Sequence, residues 1–132
     1  MYLIGKESCV VNGKYLLDSN IVIRLSKGEY TLVEFFDNNE SFAISVITYM
    51  EVLGYNFQNA SEVDFINEIL SLMEVAYIDE DVANRTIEIR KMVKIKLPDA
   101  IIAATALVLD LELVTANYND FAGIKDLKLL RK

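Results

Sequence analysis

The sequence predicts an α/β fold in which helices cover both faces of a central parallel sheet. Short apolar runs rich in strand-forming residues, "YLL", "SFAIS", "VAYI" and "LELVT", recur along the chain. Between them lie segments long enough for helices of about ten residues or more, the length a parallel crossover requires. No internal repeat, low-complexity tract or linker breaks the pattern, and the five glycines and single proline are scattered. The 132 residues therefore read as one domain, a length that buries roughly two-thirds of the unfolded surface in a single core.

Taken in order, "GKYLLDSN" is an apolar run closed by turn formers, predicting a strand over 14–17 with Asp18 at its carboxyl end. Ser19 or Asn20 then caps the helix of "NIVIRLSKGE". A helix over 29–38 leads to the strand "SFAIS", and "VITYMEVLGYN" forms a helix ending near Gly54 or Asn56, with Met50 on its apolar face. From Ser61 to Glu74, Val63, Ile66, Ile69, Leu70 and Met73 recur at helical spacing, and Ser61 with Asp64 approximates a capping box. "VAYI" is a third strand and residues 80–93 an amphipathic helix. Pro98 opens a helix buried on most of its surface, since nearly every residue from Ala100 to Leu109 is apolar or small. "LELVT" supplies the fourth strand and "LKLL" a last edge. The Asp110–Leu111 junction lacks the glycine expected at a helix end. Residues 1–13 form an N-terminal extension in which Val10 and Val11 either add an edge strand or trail.

Composition narrows the chemistry. With no histidine, the Ser-His and Cys-His nucleophile pairs, histidine acid–base catalysis and histidine-held zinc or iron are excluded. A single cysteine, Cys9, allows neither an internal disulfide nor a cysteine zinc site and suits a reducing cytoplasm. No window approaches the ~18 apolar residues of a membrane span, so the expectation is a cytoplasmic protein without membrane contact. The net charge of -7 argues against a broad phosphate-binding surface, yet it also fits carboxylates gathered to hold cations.

Sites in parallel α/β sheets gather at the carboxyl ends of the strands, and four acids point there. Asp18 directly follows the first strand, although "DSN" is also an ordinary turn or cap. Glu51 lies near the edge of an apolar helix face, where a carboxylate needs a partner unless it reaches solvent. Asp99 follows Pro98, a common helix opening that exploits the positive end of the dipole; it is also the only charge between Lys96 and Asp110. Asp120 lies just beyond the strand "LELVT" with Thr115 and Asn117 nearby, and taken alone it is a turn residue. If the fold brings the four together, their repulsion demands protonation or a divalent cation. An all-oxygen site prefers a hard ion, Mg²⁺ or Mn²⁺.

The segments "YLLDSNIVI", "SVITYMEVL", "LPDAIIAATAL" and "LVTANYNDF" resemble, in order and spacing, the PIN-domain ribonucleases, most closely the VapC toxins of prokaryotic toxin–antitoxin pairs. The resemblance covers residues 14–130 and implies a PIN-like α/β/α sandwich with a central parallel sheet. It places the family's acidic set on Asp18, Glu51, Asp99 and Asp120, as catalytic and metal-holding residues, with Asn117 at a position often Asn or Asp in relatives. Ser19, Asn20 and Thr115 match its supporting polar residues. It further implies Mg²⁺- or Mn²⁺-dependent hydrolysis of RNA to a 5′-phosphate and a 3′-hydroxyl, a homodimer, and a small VapB-like antitoxin as partner.

Arg85, Arg90, Lys91, Lys94 and Lys96 form a basic segment leading into Asp99, with Arg90 and Lys96 the favoured phosphate contacts; a solvated helix face is the plain alternative. Arg24 and Lys27 follow Asp18 on the first helix, and Tyr49, Phe35 and Phe36 either meet a partner or fill the core. Other functions remain as expectations to compare. A receiver domain would use Asp79, Thr115 and Lys125 but leaves Glu51 and Asp99 without a role. The PIN alternatives are a nuclease in RNA processing without an antitoxin and a catalytically inert binding module.

Overall fold

The computed structural model describes residues 14–31 and 41–131, the last of these by its backbone. Eleven elements follow one another among the described residues: β1 (Tyr15–Leu17), α1 (Ser19–Ser26), β2 (Phe42–Ser45), α2 (Val46–Leu53), α3 (Ala60–Ser71), β3 (Glu74–Ala76), α4 (Glu80–Met92), α5 (Leu97–Leu109), β4 (Glu112–Thr115), α6 (Tyr118–Phe121) and β5 (Leu129–Arg131). The strands form one sheet in the order β3-β2-β1-β4-β5, and every adjacent pair is parallel.

That order sets the location of a site. The chain runs outward from β1 to β2 and β3, then returns across the sheet to lay β4 on the other side of β1. Connections leaving β1 and β4 thus diverge, opening a crevice at the carboxyl ends of these two strands. Leu17 pairs with Val114 in the β1–β4 register, so Asp18 and Thr115 emerge side by side at this edge.

Successive strand residues point to opposite faces, and the core divides accordingly. Leu16, Ala43 and Leu113 face a cluster built with Val82 and Ile89 of α4 and with Ala100–Ala104 and Ala106 of α5. Leu17, Ile44 and Val114 face a second cluster with Ile21, Val22 and Leu25 of α1, Val52 of α2, and Ile66, Ile69 and Leu70 of α3. The result is an α/β/α sandwich. Its small α5 residues let that helix sit close to the sheet and along α4, as the apolar run in the sequence requires.

Several boundaries differ from expectation for identifiable reasons. Asp18, rather than Ser19 or Asn20, caps α1: its side chain accepts from Ile21 N at 3.0 Å, because the strand ends one residue before the helix begins. The capping box of α3 sits two residues earlier than Ser61/Asp64, with Asn59 Oδ1 accepting from Glu62 N and Glu62 Oε1 accepting from Gln58 N. The third strand is Glu74–Ala76, so Tyr77 and Ile78 leave the sheet. Met50 is 54% exposed, and α2 instead buries Thr48 and Val52. At the end of α5, Asp110 takes the left-handed conformation itself, with φ 55° and ψ 50°. Leu111 N donates to Ala106 O and Asp110 N to Leu107 O, the paired bonds of a Schellman ending with aspartate in the glycine position.

Residues 29–31 are not helical, and the rest of the helix expected over 29–38, like the N-terminal extension, lies outside the described residues. Among the described residues no helix is long and apolar enough to cross a membrane.

Leu113 occupies the middle of β4 at 0% exposure. Leu113→Ala should cost about 2–5 kcal/mol of unfolding free energy, the range for large-to-small substitutions in a packed core, readable by urea denaturation at neutral pH. A loss under about 1 kcal/mol would show that the sheet centre is not tightly packed.

Candidate functional site

The site begins at Asp18, which is only 4% exposed. Its backbone N donates to Val114 O, continuing the β1–β4 ladder one step past the strand. Oδ1 caps α1 through Ile21 N, and Oδ2 accepts from Thr115 Oγ1 at 2.5 Å. Thr115, fully buried, also accepts from Asn117 N at 2.9 Å, so its hydroxyl links the ends of β1 and β4 to the turn that follows. Burial pushes the Asp18 carboxyl above its ordinary range, the Thr115 and Ile21 hydrogen bonds oppose this, and the charge of Asp99 adds to the rise.

Asp99 is the third residue of α5, a 13-residue helix with proline in its first turn and no side-chain cap from Lys96. The backbone N–H groups of that turn stabilise its charge, yet its pKa lies above the ordinary value. Partial burial is the leading cause; the negative charges of Asp120 and Glu51 follow, offset by Lys96. Asp99 thus senses Asp120 and Glu51, and Asp18 in turn senses Asp99, across elements distant in sequence.

Asp120 sits in α6, a single helical turn, instead of the loop expected for it, and it is exposed. The tight run "NYND" after β4 coils as Asp120 N donates to Asn117 O. Glu51 is exposed on α2, where Ser19 Oγ donates to its Oε1 at 2.5 Å; the same serine shares a 3.2 Å hydrogen bond with Thr48 Oγ1. Thr48 was not singled out from the sequence, and its signal was a polar residue three positions before Glu51 on the same helix. Asn20 and Asn117 are exposed, and the Asn117 side chain caps nothing in α6.

Asp99 and Asp120 line an open cleft of about 680 Å³ together with Asn119, Arg90, Lys94, Ile95 and Lys96. Arg90 and Lys96 therefore stand beside the acids, while Arg85 pairs with Glu88 at 3.5 Å on the solvent side of α4. Arg24 donates to the Tyr30 hydroxyl and Lys27 lies over the Tyr55 ring, so both cations of α1 have local partners.

The donor set is all oxygen and mutually repelling, which fits a hard divalent cation. Among the described residues, no three acidic, histidine or cysteine side chains converge into one coordination group; Asp99 and Asp120 line the cleft, while Asp18 is engaged by Ile21 N and Thr115 Oγ1 and Glu51 by Ser19 Oγ.

A parallel five-stranded sheet with acids at its switch point defines the class of protein, and comparison gives it a family. The PIN domain model matches residues 15–127, and the chain belongs to the PIN-domain family. Within it the chain is VapC-like, as three solved structures illustrate. A toxin–antitoxin complex from Klebsiella pneumoniae is 37% identical over 88% of this chain and 95% of that chain, with a TM-score of 0.68. VapBC-1 from nontypeable Haemophilus influenzae is 27% identical over 89% and 96%, with a TM-score of 0.72. DNA-bound VapBC from Salmonella typhimurium is 25% identical over 90% and 98%, with a TM-score of 0.77. Comparison with curated protein sequences gives no match.

Two outcomes test the electrostatics. Thr115→Val removes the donor to Asp18 while keeping shape, and should cost about 1–3 kcal/mol in stability, the penalty for a buried acceptor left unpaired; a change within a few tenths would show that Asp18 finds another partner. Because the Asp99 carboxyl is raised in the folded state, its protonation stabilises the fold below the ordinary value near 3.8, and that contribution is lost as pH rises through the raised value. In chelator, Asp99→Asn should therefore melt higher than wild type at pH 7, with the gap closing toward pH 4. A variant that melts lower at pH 7 would show that attraction to the helix terminus outweighs the repulsion.

Proposed function

We propose that this protein is a metal-dependent endoribonuclease, the VapC-type toxin of a toxin–antitoxin pair, acting in the cytoplasm. The observation that carries the proposal is the juxtaposition in one cleft of Asp99 and Asp120 with Arg90, Lys94 and Lys96, beside a buried Asp18 that feels the charge of Asp99. Carboxylates alone repel a phosphodiester, and cations alone bind without cutting. Their adjacency suits a site that grips the polyanion and attacks it.

In this reading Asp18, Asp99 and Asp120 hold Mg²⁺ or Mn²⁺, and Glu51 is a ligand or orients the attacking water. The bound cation supplies an activated water and relieves charge on the phosphoryl group and departing oxygen. The chain's own groups do the rest. Ser19 fixes the Glu51 carboxylate through its 2.5 Å hydrogen bond, Thr115 fixes Asp18, and Arg90 and Lys96 hold phosphates on either side of the scissile bond. Asn20 and Asn117 supply further polar oxygen at the rim. Products would carry a 5′-phosphate and a 3′-hydroxyl.

Similarity to VapBC complexes and to a toxin–antitoxin complex supports a small VapB-like antitoxin as partner and favours this over a processing nuclease that works without one. Tyr49, Met50 and Leu53, exposed along α2, offer an apolar seat for the antitoxin or for the second copy of a homodimer. The toxin assignment predicts that protein purified from its native source carries an additional small chain, detectable as excess mass.

Purified protein should cleave single-stranded RNA with Mn²⁺ or Mg²⁺ and not in EDTA. Asp18→Asn and Asp99→Asn should each lower the rate by about 100-fold or more, as expected when the several kcal/mol of metal-assisted charge stabilisation are lost. Undiminished cleavage by both variants, with the fold retained by circular dichroism, would overturn the site assignment.

A further inference from the structure

The stretch from Arg90 to Lys96, "RKMVKIK", carries four cations and no acid in a chain of net charge -7. Its side chains line two openings rather than one. The acidic cleft takes Arg90, Lys94, Ile95 and Lys96. A second groove of about 460 Å³, on the corner between α4 and α5, takes Thr86, Ile87, Arg90, Lys91, Val93, Lys94, Ile95 and Leu97. Arg90, Lys94 and Ile95 belong to both, so the two openings are neighbours along one track that starts away from the acids and ends at Asp99 and Asp120.

Charge and polarity along the track name an occupant. Arg90, Lys91 and Lys94 are exposed and form no ion pair among the described residues, although Glu88 lies within the same helix and bonds Arg85 instead. Free cations on an acidic protein mark a place kept for an anion. Between them stand apolar side chains open to solvent, Ile87 at 53% and Leu97 at 48% exposure, with Ile95 half-buried. A duplex presents mainly phosphates to such a surface; an unpaired strand presents phosphates together with sugar and base faces, and those faces match the apolar patches.

We propose that the groove of Ile87, Arg90, Lys91, Lys94, Ile95 and Leu97 is a subsite for single-stranded RNA that continues from the acidic cleft, so that substrates are gripped several nucleotides beyond the cut. This rests on the ribonuclease reading, and it adds that Lys91, remote from the acids, is a substrate-positioning residue. Lys94, shared by both openings, contacts the strand at the junction.

The test is binding, in chelator so that RNA stays intact. Fluorescence anisotropy would follow labelled single-stranded RNAs of 12 and 4 nucleotides and a 12-base-pair duplex against wild type, Lys91→Ala and Lys91→Ala/Lys94→Ala, over a range of salt. Each lost phosphate contact on a single strand should lower the slope of log K against log salt by about 0.7, hence about 1.4 in the double variant. The loss should appear with the 12-mer, with Lys91→Ala silent toward the 4-mer. Unchanged slopes, equal losses for duplex, or no RNA binding with binding of an acidic peptide instead would each overturn the subsite, the last pointing to a protein partner. Both lysines are exposed, Lys91 in the last turn of α4, where alanine is a good helix former, and Lys94 in the connection to α5, so folding is retained and checked by circular dichroism. A wild type that binds as described but never cleaves with Mn²⁺ or Mg²⁺ would sink the nuclease reading and leave the RNA groove standing; cleavage with unaltered slopes would do the reverse.

Discussion

Asp18 does three structural jobs in the interior, one through its backbone and two through its carboxyl group. Its backbone extends the pairing of β1 with β4, one oxygen caps α1, and the other accepts from Thr115 at the end of β4. An ionised side chain at 4% exposure is costly unless hydrogen bonds satisfy it, and here two donors do so. The same bonds fix the carboxylate at the point where connections from β1 and β4 diverge. The β1–β4 junction and the position of the site thus share one buried group, and a substitution there acts on both.

Around that fixed point the chain arranges charge in opposition. Asp99 is partly buried at the start of α5, and that burial first, then the charges of Asp120 and Glu51, raise its pKa against the pull of Lys96. The same cleft is lined by Arg90, Lys94 and Lys96. The net charge of -7 therefore conceals a local pattern, and total charge alone says little about affinity for a polyanion. What counts is where cations cluster without partners, and among the described residues Arg90, Lys91 and Lys94 do so at the turn from α4 into α5.

Much of the fold is legible because short continuous apolar runs and helical spacing leave marks that survive translation into structure. Leu16 and Leu17, or Leu113 and Val114, are adjacent apolar residues, which only a strand covered on both faces buries together. The run from Ala100 to Leu109 announced a helix packed close to a sheet. Less legible were features decided by competition between similar signals. Asp18, Ser19 and Asn20 are all good caps, and the strand's exact end chose Asp18. Asn59 outcompeted Ser61 in the same way. Met50 has the hydropathy of a core residue, yet α2 turns Thr48 and Val52 inward, because the helix rotation is set by contact with α1 and the sheet. As for the candidate site, the sequence grouped Asp18, Glu51, Asp99 and Asp120 by order and by resemblance. It could not show that Ser19 binds Glu51, that Thr115 binds Asp18, or that Asp120 sits in a helical turn, since these depend on which strands become neighbours across 97 residues of chain.

The proposed function requires that the acids around Asp18 and Asp99 share one divalent cation. Calorimetric titration of Mn²⁺ into the metal-free protein tests it directly, with Asp99→Asn as the comparison. Wild type should bind saturably and the variant at least about tenfold more weakly, with proton release on binding that grows as pH falls toward the acids' raised range, because raised carboxyls must ionise to ligate. Binding of equal strength in both proteins, or none in wild type, would contradict it.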